Sequence, residues 1–73
     1  MRNGQWVETD QGVGIVVHQD GGAWVHLTND DGTTLAQLPL DRCSGLRIAR
    51  RDSIPASRVG HLTAEQLAAM GYV

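Results

Sequence analysis

Turn-forming residues recur so regularly through the first forty positions that no long helix fits between them. Gly12-Val13-Gly14, Asp20-Gly21-Gly22, Asn29-Asp30-Asp31-Gly32 and Pro39 cut this stretch into short runs. Asp-Gly and Asn/Asp-rich clusters tolerate the positive φ that a hairpin connection needs, and Pro39 cannot donate to a strand ladder. The segments between them, Trp6-Val7-Glu8-Thr9, Ile15-Val16-Val17-His18, Ala23 to Thr28 and Thr33 to Leu38, favour extended backbone. Leu46-Arg47-Ile48-Ala49-Arg50 reads as a fifth run, apolar on one face and arginine-bearing on the other. Five short strands at a repeat of roughly 8–12 residues predict a mainly β fold, a small five-stranded SH3-like barrel beginning at residue 4 and ending at about residue 50.

Strand periodicity assigns the faces. Ala23, Val25 and Leu27 share one face, and Trp24 and His26 share the other. A register pairing Val17 with Val25 and Ile15 with Leu27 makes an aliphatic interior and sets Trp24 near His18. In the first strand Trp6 shares its phase with Glu8, opposite Val7. On this register both indoles lie outside the barrel core, where tryptophan serves as an anchor for protein partners or a stacking platform for bases. The alternative is that the indoles cover a second small core beneath the C-terminal segment.

The final segment changes character. Thr63-Ala64-Glu65-Gln66 has the form of a capping box, with Leu62 and Leu67 at the staple positions. Gly71 suits a left-handed helix end. A two-turn helix from Ala64 to Met70 follows, too short to be stable alone. Either Leu67, Met70 and Tyr72 dock on the barrel, or the tail frays until a partner orders it. Ile54-Pro55-Ala56-Ser57-Arg58 reads as a linker or single turn. The division predicted is a barrel domain over residues 1–58 and a short helix or flexible tail over 59–73.

A chain of 73 residues is one domain, and at this size the core supplies no more than about 3–5 kcal/mol. That leaves little stability to hold strained catalytic geometry, which argues against an enzyme. The sequence has no HExxH, no GxSxG and no Walker glycine loop. His18 and His26 can approach each other across the second hairpin, but two histidines fall short of the ligand set zinc requires. The plainer reading is two polar residues on a wet strand face. Cys43 is the lone cysteine; it is either a thiol activated by Arg42 or, as the commoner behaviour of free cysteine has it, a small hydrophobe. No disulfide framework, metal or cofactor is expected, and a reducing cytoplasm fits best. No apolar run approaches the roughly 20 residues of a membrane span, and the polar start Met1-Arg2-Asn3-Gly4-Gln5 does not read as a signal peptide.

Charge is divided along the chain. Residues 1–41 hold one arginine against six carboxylates, a balance of −5, while residues 42–73 hold five arginines against two carboxylates, a balance of +3. Lysine is absent. Arginine binds carboxylate and phosphate bidentately, yet a pI near 5.8 is far from that of a nucleic-acid-wrapping domain. A protein partner is favoured, with nucleic acid second. Trp6, Trp24, Arg47, Arg50 and Arg51 are the candidate partner contacts. Arg47 and Arg50 fall on opposite faces of a regular strand.

The stretch from Gly4 to Val16, GQWVETDQGVGIV, resembles the opening of SH3-like barrels of the Tudor/KOW type, and most closely the RNA-polymerase-interacting barrel of CarD-like regulators and the transcription-repair coupling factor. There a glycine-polar pair starts the first strand and a Gly-x-Gly turn leads into an aliphatic second one. Here Gln11 stands where a histidine often precedes that turn, and the spacing between the glycine elements is shorter. In size and character the chain is also similar to small phage-encoded transcription regulators. These resemblances imply a monomer that binds host bacterial RNA polymerase, inhibits initiation by displacing the σ factor and promotes antitermination.

Overall fold

The computed structural model describes residues 2–69. Five strands, β1 (Trp6–Thr9), β2 (Gly12–Gln19), β3 (Gly22–Thr28), β4 (Thr34–Pro39) and β5 (Arg47–Ile48), form one antiparallel sheet in the order β4-β3-β2-β1-β5. Single 3-10 turns at Leu40–Arg42 and Arg51–Ser53 flank β5, and two short helices, α1 (Ala56–Val59) and α2 (Ala64–Ala69), complete the described chain. The fold is mainly β and barrel-like, as the turn spacing predicts.

The β2–β3 register differs from the expected one by a single residue. Val16 pairs with Val25, Val17 with Trp24, and His18 with Ala23. The cause is the turn. Only Asp20 and Gly21 lie outside the ladder, and both have positive φ, 53° and 75°, the two-residue connection that matches strand twist. Gly22 therefore belongs to β3. Because side chains alternate, this one-residue slip exchanges faces: Val16 points into the barrel, while Ile15 and Val17 point to the other side.

Two rows cross the inner face. Val7, Gly14, Leu27 and Ala36 stand side by side in one, and Val16, Val25 and Leu38 in the other. Val7, Val16, Val25 and Leu27 form the buried centre, closed over by Leu40, Cys43 and Leu46 from the β4–β5 connection. Gly14 is part of β2 rather than a break before it. A Cβ there would lie 2.7 Å from both the His26 carbonyl oxygen and Val25 Cγ1, so only glycine allows β3 so close.

The opposite face carries a second core. Trp6 is 1% exposed and packs with Ala49 and Ile54, joined by Val13, Ile15, Val59 and Leu62. The segment 54–58, read as a linker or single turn, leads into the single turn of α1, and together with the second 3-10 turn it covers β1. The boundary placed at residue 58 falls inside α1, whose Val59 belongs to this cluster. The capping box forms: Thr63 N–H donates to Gln66 Oε1 at 3.0 Å, and Gln66 N–H donates to Thr63 Oγ1 at 3.1 Å. Gln66 Nε2 then donates to the Gly4 carbonyl at 3.0 Å, tying α2 to the start of the barrel. The expected helix end at Met70, the Gly71 cap and any docking by Met70 or Tyr72 lie outside the described residues.

Candidate functional site

The two tryptophans have separate fates. Trp6 is a core residue, so its expected exposure does not hold. β1 lies between β2 and β5 with both faces covered, and all four of its residues are buried. The Arg58 guanidinium sits 5.2 Å from the Trp6 ring centroid and donates from Nη1 to the Gly32 carbonyl at 2.9 Å. This contact fixes α1 over the indole from one side and holds the β3–β4 loop from the other.

Trp24 remains half-buried, opposite Val17 on β2 and Pro39 on β4. It is not set beside His18, whose register partner is Ala23. Its indole lines an open groove of about 560 Å³ with Pro39, Leu40, Asp41 and Arg42. Pro39 ends the edge strand and Leu40–Arg42 turns immediately after it, so one acidic and one basic side chain stand next to an apolar wall. The sequence signal for this groove is Pro39, the last residue of β4, which on its own signals only a strand stop.

Arg47 and Arg50 converge on a carboxylate instead of facing opposite ways. Glu8, with its side chain 8% exposed, accepts from Arg47 Nη2 at 3.4 Å, lies 3.6 Å from Arg50 Nε, and accepts the Arg50 backbone N–H at 2.8 Å. The regular strand expected to continue to Arg50 stops at Ile48, and the chain enters a 3-10 turn at Arg51. Arg50 itself is still extended, and the Ala49 N–H donates to the Trp6 carbonyl at 3.0 Å, a pairing with β1 that brings Arg50 to Glu8. The Arg50 N–H holds the Glu8 carboxyl below its ordinary range against the opposing effect of burial, with the two guanidiniums and Ser53 adding to it. The arginines keep solvent-facing surface, 58% for Arg47 and 76% for Arg50. Arg51 is exposed beside them. Glu8 was not among the candidate residues; the clue to it was its shared phase with the buried Trp6.

Cys43 is packed against the inner core and donates from Sγ to the Pro39 carbonyl at 3.4 Å. Burial, with the Asp41 charge added, pushes its thiol up, opposite in direction to activation by Arg42. Among the described residues no three His, Cys, Asp or Glu side chains are grouped to hold a metal ion, and no helix is long and apolar enough to cross a membrane.

No family model, curated protein or solved structure matches the chain.

Proposed function

We propose that this chain is a non-catalytic protein-binding module, a phage-type transcription regulator that engages host bacterial RNA polymerase in the bacterial cytoplasm. The observation that carries the protein-binding part is the Trp24 groove. A half-buried indole beside Pro39 and Leu40, rimmed by Asp41 and Arg42, has the make-up of a contact patch in which an aromatic anchor supplies area and neighbouring charges set orientation. At the other edge of the sheet, by β5, Arg47, Arg50 and Arg51 present guanidinium groups suited to acidic side chains of a partner. Polymerase as the target is supported by the resemblance of the Gly4–Val16 stretch to polymerase-interacting barrels. Displacement of σ and antitermination are the activities expected of that resemblance.

Phosphate binding is the weaker use of the arginines. The pI near 5.8 is far from that of a nucleic-acid-wrapping domain, and Arg58 is spent on Trp6 and Gly32.

Affinity purification from bacterial lysate with the tagged protein, followed by mass spectrometry, tests the proposal. Polymerase subunits are expected with the native chain and depleted with Trp24→Ala. Recovery of no polymerase subunit overturns the target. A gel shift at low salt that weakens steeply as salt rises would instead place the arginines on nucleic acid.

A further inference from the structure

On another part of the surface, the β3–β4 loop, the start of β2 and the second 3-10 turn enclose a groove of about 560 Å³ that the Trp24 reading does not use. Val13, Pro55 and the nearly buried Ile54 (4% exposed) give it an apolar part, set among the polar Gln11, Thr28, Asn29 and Ser53. Leu35 stands at its side and is 61% exposed, the most exposed large hydrophobic residue described. Two carboxylates, Asp30 and Asp52, lie on the rim, and no lysine or arginine lines the groove.

We propose that this groove docks an extended, cationic and apolar segment of a partner protein. Charge complementarity carries the choice of occupant. Asp31, next in the loop, has its carboxylate occupied by the Thr33 N–H and hydroxyl, at 3.0 and 2.6 Å. Asp30 and Asp52 form no ion pair among the described residues. A guanidinium or ammonium group entering the groove meets negative charge from Asp30 and Asp52 and no lysine or arginine in its lining. Its aliphatic stem, or the apolar side chain next to it, covers Leu35 and the apolar part. The groove runs from Leu35 and the β3–β4 loop on one side to Ser53, Ile54 and Pro55 on the other, and an extended segment laid along it reaches both walls. An acidic segment is repelled by the same rim.

The test uses the full chain and two labelled peptides of equal length, one alternating leucine with arginine and the other leucine with glutamate, read by fluorescence polarisation at several salt concentrations. The arginine peptide is expected to bind, more weakly as salt rises, and the glutamate peptide is expected not to. Leu35→Ser and the double variant Asp30→Asn/Asp52→Asn are each expected to weaken binding about tenfold or more, a loss of about 1.4 kcal/mol. All three positions are exposed, and the isosteric Asn variant keeps the test valid should Leu35→Ser unfold. Asp20→Asn/Glu65→Gln removes the same net charge elsewhere and is expected to leave binding intact. Equal binding by both peptides, equal losses in the two double variants, or self-association in sedimentation that Leu35→Ser abolishes would each overturn the proposal.

Discussion

The Glu8 Oε2 receives the Arg50 backbone N–H at 2.8 Å while that residue's guanidinium lies 3.6 Å from the same oxygen. One acidic side chain on β1 thereby fixes both the path of the chain after β5 and the place of an arginine. The carboxyl is held below its ordinary value of 4.5. Its contribution to stability is therefore full above that value and is lost as pH falls through the depressed folded value. Urea midpoints measured from pH 7 downward should fall below about pH 4.5 in the native chain. Glu8→Gln should start lower at pH 7 and lose less on acidification.

Removing the indole at position 6 should unfold the protein. Truncating a buried tryptophan to alanine costs about 3–5 kcal/mol, as much as a core of this size supplies. Trp6→Ala is expected to lack a cooperative thermal transition by circular dichroism. Trp6→Phe should fold with a reduced midpoint, since it keeps a ring for Arg58 to lie over.

Intrinsic fluorescence should resolve two tryptophan populations. Trp6 is buried and Trp24 borders an open groove, so acrylamide should quench one fraction readily and the other poorly. Trp24→Phe should leave only the protected fraction, with emission shifted to shorter wavelength.

The β2–β3 turn should be sensitive at one position and tolerant at its neighbour. Gly21 sits at φ 75°, where a Cβ costs about 1–2 kcal/mol. Gly21→Val should lower the urea midpoint accordingly. Asp20→Asn should be neutral or mildly stabilising, because Asn-Gly is the favoured pair for this turn.

The thiol of Cys43 should be inert in the folded state. Its value is pushed above the ordinary 9.0 by burial and by Asp41, so iodoacetamide at pH 8 should label it slowly, and rapidly once urea unfolds the chain. Because the shift is upward, stability should decline as pH rises past 9, and Cys43→Ala should flatten that alkaline limb.

Strand number and class were legible because β-favouring runs and turn residues alternate cleanly. The register was harder to read because glycine carries two meanings here. Gly14 looks like punctuation, yet it lies within β2, where close approach of β3 excludes a Cβ. Gly22 looks like part of a turn and pairs with Gln19. The fate of Trp6 was open at the sequence level because its cover arrives from Ala49, Ile54, Val59 and Leu62, more than forty positions along the chain. Trp24 has no comparable cover from that segment. The arginine cluster was recognised as a group, but its convergence on Glu8 depends on the path of the chain past β5, a tertiary outcome that strand phase does not encode. The capping box was readable because both of its bonds are local.

The Gln66 side chain serves α2 with its oxygen and Gly4 with its nitrogen, which brings the two ends of the described chain within one hydrogen bond of each other. Such adjacency makes the fold a candidate for rewiring. A short peptide bridge between the two ends of the described residues, with the backbone opened at Asp20–Gly21, should yield a circular permutant with the same sheet. That permutant would turn one local contact of the present molecule, the β2–β3 hairpin, into one between chain ends.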